Sequence, residues 1–383
     1  MSFLGLQRMV VAAATALHFV ECIAIIIVAL IGPRIIPETI SRKEKNKIST
    51  TAYVTGQTWQ SRGLSDLPFF RPVNLLVYWA IQFPVWLVEH YLLGGPSTID
   101  QFIGRHTAID EVVREEIESG RVSVILELAS GVSGRGIRYA RKFPNVTYIE
   151  TDLPDIAAHK EELISRIPGP RPSNHHIFAL DALGKSESHA AGGSTTAPSV
   201  PHLLGTELSD LLSRTGNTRG GILILAEGLI QYMTDEEARG FFGTLVQYLS
   251  RRGRRGVFVT DCWSTMHYVF AHPEVEFKAV SKLFQYGGPM GAVKAISGKP
   301  TSKHDNIAKE MKESGFTDVK VHIANDLIQE RRLYERYPEQ RKFLGIIPLT
   351  TVGMSGATGW STLWINVVVG VVEPKTDTLP PAA

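Results

Sequence analysis

Four carboxylates stand in the middle of the chain, each at the end of an apolar run. Glu150 and Asp152 close "VTYIETD", Asp181 follows "HIFAL", and Glu227 follows "GILILA". Ahead of them "VSVIL" enters "ELASGVSGRG", where Glu127 opens a turn holding Gly131, Gly134 and Gly136. An apolar run, a glycine-rich turn, a helical pattern and a second apolar run ending in acid is how a chain builds a nucleotide pocket. Glycine lets backbone come close to a ligand and tolerates positive φ. An acid about twenty residues after the turn can accept hydrogen bonds from both ribose hydroxyls. Singly, each acid also reads as a solvated strand end or a helix cap; four at the carboxyl ends of successive strands point to one ligand-binding edge.

The spacing leaves some choices open. Strand alternation sends Glu150 and Asp152 to the same face, so either can be the ribose acid. Asp181 could hold an adenine amino group, and Glu227 would face the charged end of a cofactor. The turn lacks GxGxxG, the spacing that seats a dinucleotide pyrophosphate, which argues against a nicotinamide oxidoreductase. His267 and His272, in "STMHYVFAHPE", are candidate general bases for a hydroxyl acceptor, and Tyr232 is a candidate for the acceptor side. Surface histidines and a core tyrosine are the bland alternatives. His175 and His176 are adjacent in a strand-like run and face opposite sides, which argues against a shared metal, and no metal is expected.

Seven apolar runs would position these groups: Val122–Leu128, Val146–Glu150, His176–Leu180, Ile222–Ala226, Val257–Asp261, Val319–His322 and Leu363–Val372. Helical patterns lie between them, among them Asp235–Ser250 and Asp305–Ser314, and a longer one precedes them from Thr98 to Gly120. Alternation of strand and helix predicts an α/β fold, a mostly parallel sheet with helices on both faces. Lys185–Pro201 has no apolar periodicity and is expected to be a disordered surface insertion. The predicted divisions are an N-terminal anchor and basic flank over 1–48, a helical lid or extension over 49–120, a catalytic domain over 121–373, and a tail over 374–383.

The formal net charge of +2 carries no dominant sign, and no concentrated basic face is visible, so nucleic acid is not an expected partner. Cys22 and Cys262 stand far apart and form neither a disulfide framework nor a zinc pattern. Met9–Ile31 is apolar except for His18 and Glu21. As a helix it would be about 35 Å long, enough for a hydrocarbon core of about 30 Å. His18 and Glu21, three residues apart, can partly satisfy one another. Only Arg8 precedes the run, whereas Arg34, Arg42, Lys43, Lys45 and Lys47 follow it. The positive-inside rule then places the remainder in the cytosol. A second apolar stretch, Val73–Leu93, carries Pro84 and reads as a packed or interfacial helical pair.

Taken together, "VILELASGVSGRG", "YIETDLP" and "LAEGLIQYMTDEEA", with "GGPSTIDQFIGRHTAIDE" ahead of them, resemble the leucine carboxyl methyltransferase-like group of class I S-adenosylmethionine-dependent methyltransferases. The likeness covers roughly Gly95–Val257. It implies a Rossmann-like seven-stranded sheet of order 3-2-1-4-5-7-6 with an antiparallel last strand, and S-adenosylmethionine as cofactor. By that resemblance Arg105 would bind the methionine carboxylate, and Glu127 and Gly131 would belong to the cofactor turn. Asp152 would be the ribose acid, Asp181 and Ala182 would lie along the adenine, and Glu227 would stand near the methionine end. The region after Trp263, where the acceptor pocket would form, matches poorly. The expected reaction is O-methylation of a carboxylate or hydroxyl on an apolar small molecule. A protein C-terminal carboxyl group, or a silent membrane-associated cofactor binder, are the alternatives.

Overall fold

The computed structural model describes residues 98–180, 182, 213, 220–230, 233–251, 254–263, 307–324, 327, 342–343, 347–348 and 365–374, with parts of 52–67. The chain begins its described fold with helix α1 (Thr98–Glu118) and strand β1 (Val122–Glu127). There follow α2 (Arg135–Lys142), β2 (Thr147–Asp152), α3 (Pro154–Ser165) and β3 (His175–Ala179). The second half comprises β4 (Gly221–Ala226), α4 (Asp235–Arg251), β5 (Gly256–Trp263), α5 (Ile307–Glu313), β6 (Asp318–Ile323) and β7 (Ile365–Val372). A short ribbon also pairs Lys342–Phe343 with Ile347–Pro348.

The seven strands form one sheet in the order β3-β2-β1-β4-β5-β7-β6. The first five are parallel, and β7 runs antiparallel to both β5 and β6. This is the order and the strand direction implied by the family resemblance. Strand ends shift by one or two residues: β2 runs on through Asp152, β3 starts at His175, and β5 continues to Trp263.

Alternation along buried strands sorts the core into two layers. In β4, Ile222, Ile224 and Ala226 face α4, where Phe241, Phe242 and Leu245 are fully buried. Leu223 and Leu225 face the other way, toward Ala108, Ile109 and Val112 of α1 and Tyr139 of α2. A third cluster packs Ile156, Leu163 and Ile164 of α3 against Val132, Ile137 and Leu67.

No helix among the described residues is long and apolar enough to cross a membrane. Met9–Ile31, Val73–Leu93 and Lys185–Pro201 lie outside the described residues.

Candidate active site

The chain leaves β1 through a turn that cannot be regular. Ala129 has φ +50° and Gly131 φ +53°, both left-handed. That region disfavours any side chain by roughly 1–2 kcal/mol, so Ala129 is strained where Gly131 is not. The turn is tied to the neighbouring strands: Ser130 N donates to Thr151 O at 2.9 Å, and Leu128 N to Leu225 O at 2.7 Å. Asp152, the last residue of β2, closes it. Its Oδ2 accepts from Gly131 N at 2.6 Å, and its Oδ1 from Leu153 N at 2.8 Å. Burial pushes the Asp152 carboxyl up to about 6, against the opposing pull of those two N–H groups. Each oxygen of an ionised carboxylate accepts more than one hydrogen bond. Asp152 therefore has acceptor capacity beyond the turn itself, as a ribose diol requires.

Glu150 points to the same face and is occupied differently. Its Oε1 accepts from Lys160 Nζ at 2.6 Å, and its Oε2 lies 2.7 Å from His175 Nε2. All three residues are buried. Burial alone would raise the Glu150 carboxyl, but Lys160 and His175 hold it at about 2. A side chain at Gly136 would run into Glu150 Cδ and Cγ, so α2 can lie against this acid only because position 136 is glycine. The two acids that strand alternation leaves equivalent are differently placed: Glu150 is sealed beneath α2 and α3, while Asp152 sits at the turn. His176, on the opposite side of β3, is only partly buried.

A second ionic network lies across the carboxyl ends of β1, β4 and β5. Arg135, the first residue of α2, is fully buried and reaches three acids. Its Nε donates to Asp110, its Nη1 to Glu127 Oε1 at 2.6 Å, and its Nη2 to Glu227 Oε2 at 2.6 Å. Tyr148 OH donates to the other oxygen of Glu127 at 2.7 Å. Arg105 Nε donates to Glu227 Oε1 at 2.9 Å, and Arg105 Nη1 approaches Asp261 Oδ2 at 3.4 Å. Asp261 Oδ1 accepts from Gly228 N at 2.6 Å, and Arg138 pairs with Asp110. His106 Nδ1 lies 2.7 Å from Arg135 Nη2, and its ring stacks on Trp59.

The directions of titration follow from these contacts. Burial raises Glu227, but the charges of Arg135 and Arg105 outweigh it and hold the carboxyl well below the ordinary range. Burial raises Asp110 too, and Arg135 and Arg138 reverse it. Glu127 and Asp261 stay raised, because burial there exceeds the pull of Arg135 and Arg105 respectively.

Parts of 52–67 cover the turn. Ala52 Cβ lies 3.4 Å from where a Cβ on Gly131 would stand, Ser65 sits over Gly134, and Arg138 Nη1 donates to Leu64 O.

Of the residues singled out from sequence, Arg105, Glu127, Gly131, Asp152 and Glu227 come together at one edge of the sheet. Glu127 faces inward, with its oxygens on Arg135 and Tyr148. Ala182 is buried with Leu180 in the layer under α4. Asp181, Tyr232, His267 and His272 lie outside the described residues. Sequence reasoning missed His106, Asp110, Arg135 and Asp261. A signal existed for two of them, since Arg105, His106 and Asp110 fall within six residues of one helix. Among the described residues, no group of three or more His, Cys, Asp or Glu is arranged to hold a metal ion.

The leucine carboxyl methyltransferase family model matches residues 92–246, which hold the turn, the strand-end acids and both networks apart from Asp261. No match was found among curated proteins. Solved structures with similar chains include a candidate methyltransferase from Thermobifida fusca YX, with 12% identity over 84% of this chain and 94% of that one, TM-score 0.48. A DUF574-family protein from Streptomyces avermitilis has 10% identity over 82% and 95%, TM-score 0.46. Magnesium protoporphyrin IX methyltransferase from Synechocystis PCC 6803, with bound S-adenosylhomocysteine, has 12% identity over 72% and 87%, TM-score 0.36. Over residues 92–246 the chain is similar to the leucine carboxyl methyltransferase family, a family of S-adenosylmethionine-dependent methyltransferases.

Proposed function

We propose that this protein binds S-adenosylmethionine at the β1–α2 turn and transfers its methyl group to an oxygen of an apolar small molecule. The observation that carries the cofactor reading is Asp152, which locks Gly131 by one hydrogen bond and keeps acceptor capacity at the end of β2. When bound, the cofactor supplies a methyl group already activated on a sulfonium. The protein's part is alignment, and a rigid ionic edge is suited to it. Arg105 would hold the methionine carboxylate, with Glu227 and Asp261 fixing its guanidinium. A carboxylate acceptor is ionised at neutral pH and needs no base. A hydroxyl acceptor would call on His267 or His272, with Tyr232 lining the acceptor side. The family name favours a second reading, a protein C-terminal carboxyl group as acceptor.

The apolar run Met9–Ile31 supports a membrane anchor with the catalytic domain facing the cytosol, where a membrane-partitioning acceptor would be concentrated. Full-length protein and a chain beginning at Ser49 would be incubated with methyl-labelled cofactor and either a lipid-soluble extract or whole proteome. Label should enter the lipid extract, and the shortened chain should leave the membrane fraction while still binding cofactor. Label confined to protein C-termini would establish the second reading. Full-length protein soluble without detergent would remove the anchor.

Asp152→Ala should raise the dissociation constant for S-adenosylmethionine about ten- to a hundredfold, the worth of hydrogen bonds to a charged group. The ribose hydroxyls donate, so they favour the ionised acid. With the carboxyl at about 6 in the free protein, affinity should be flat above that pH. It should fall up to tenfold per unit below it. Asp152→Asn should abolish this slope. Calorimetry from pH 5 to pH 8 checks both; a wild-type affinity that does not weaken below pH 6 would remove Asp152 from the ribose.

A further inference from the structure

Trp59 and His106 form a stacked pair, ring centroids 4.5 Å apart and planes 29° from parallel. Both are buried. Among the described residues, neither Trp59 Nε1 nor His106 Nε2 has a hydrogen-bond partner. The other nitrogen of His106 fixes its tautomer. Arg135 Nη2 stands 2.7 Å from Nδ1, and a guanidinium only donates. Nδ1 therefore accepts, and the ring proton of the neutral imidazole is on Nε2 by this hydrogen-bond assignment. Glu227 Oε2, 3.0 Å from Nδ1, is a second acceptor served by the same Nη2 at 2.6 Å. Burial and the Arg135 charge both lower the imidazole pKa, in keeping with the neutral ring.

Two adjacent groups thus present buried, unmet N–H donors, one from the segment that covers the turn and one from α1. Buried donors are almost always bonded, and leaving one unmet is costly. Two of them in contact, at the edge where Glu227 and Arg105 meet, need a partner with accepting lone pairs. Arg135 donates to the far side of the imidazole and so polarises the Nε2–H toward an anion. Both donors are additional to Arg105, the cation placed for the methionine carboxylate.

We propose that Trp59 Nε1–H and His106 Nε2–H together bind a carboxylate in the active site. The proposal rests on the reading of this edge as a methyltransferase site. The carboxylate can come from the amino-acid end of the cofactor or from the methyl acceptor, and binding it would join the covering segment to α1.

Two variants remove one donor each and keep the shape. Trp59→Phe retains a stacked ring, and His106→Met removes the N–H while its thioether leaves a weak acceptor for Arg135. Calorimetry on the full chain would use three probes: S-adenosylhomocysteine, 5′-methylthioadenosine, which is the nucleoside without the carboxylate, and octanoate as a simple apolar acid. Each variant should weaken binding of at least one carboxylate probe about tenfold or more, with 5′-methylthioadenosine unchanged. A response to S-adenosylhomocysteine assigns the carboxylate to the cofactor. A response to octanoate, with S-adenosylhomocysteine already bound, assigns it to the acceptor. The ligand-free melting temperature should change little, the loss of packing being offset by deletion of an unmet donor. A purely structural pair would instead lower it and weaken all three probes alike, which overturns the proposal. Equal binding of both carboxylates by wild type and variants, or no binding of any probe, also overturns it. If wild type binds neither nucleoside yet octanoate still responds to both variants, the carboxylate site stands and the cofactor reading falls.

Discussion

Arg135→Met is expected to leave the chain without a cooperative native state at neutral pH. Four buried acids, Asp110, Glu127, Glu227 and Asp261, face three guanidiniums, those of Arg105, Arg135 and Arg138. Arg135 alone touches three of the four, and it is completely buried. Removing one partner of a buried ion pair costs about 3–5 kcal/mol, because the other charge stays behind unpaired. The losses at Asp110, Glu127 and Glu227 will not add independently, since they share one partner. Even so, two such losses reach the 5–15 kcal/mol that typically separates a folded domain from its unfolded chain. Arg135→Lys should recover only part of the stability. An ammonium is a point charge and cannot present three directed donors to three carboxylates. Near-ultraviolet circular dichroism and a thermal melt on the three proteins decide it. A methionine variant melting within a few degrees of wild type would show that α1 moves enough for water to reach the acids.

That network also marks the limit of what the sequence disclosed. The strands were legible because β1, β2, β4, β5 and β7 are apolar runs bounded by turn residues, and a strand buried on both faces has no other way to read. The acids at their ends were legible for the same reason, as the first charges after each run. Arg135 gave no such signal. It follows Gly134 at the start of a short helix, where a basic residue ordinarily reads as solvated. Its partners are 8, 25 and 92 positions away in the chain. His106 and Asp110 lay in plain view in "GRHTAID", yet on a helix that also supplies Ile109, Val112 and Val113 to the core. Only the packing of α1 over the sheet turns their polar side inward. Ala129 was likewise invisible, because its strain is a property of φ and not of residue type. Spacing left Glu150 and Asp152 equivalent, and what occupies Glu150 is Lys160 from α3 and His175 from β3, contacts that no local spacing encodes.

The same contacts set the second large effect. Glu150→Gln should destabilise the protein by about 3–5 kcal/mol at pH 7 while leaving the atoms at Asp152 in place. The amide keeps the shape of the acid but not its charge. Lys160, fully buried with Nζ also 3.0 Å from Ser130 Oγ, would then hold an ammonium with no counter-charge. The pH dependence gives an independent reading of the same interaction. Glu150 titrates at about 2 in the folded protein and at about 4.3 in an unfolded chain. A depressed folded value means that the unfolded state binds the proton first as pH falls. Stability from this pair is therefore complete above about pH 5 and is lost progressively down to about pH 2. At 1.36 kcal/mol per unit the gap amounts to about 3 kcal/mol, in line with the cost of the substitution. Urea unfolding of wild type at pH 7 and pH 3.5 should show the loss, and Glu150→Gln should lack this component of it. Glu150→Leu combined with Lys160→Met should regain most of the stability, since an apolar pair carries no desolvation cost. A double variant no more stable than Glu150→Gln would mean that His175, or the close approach of Gly136, depends on the carboxylate itself.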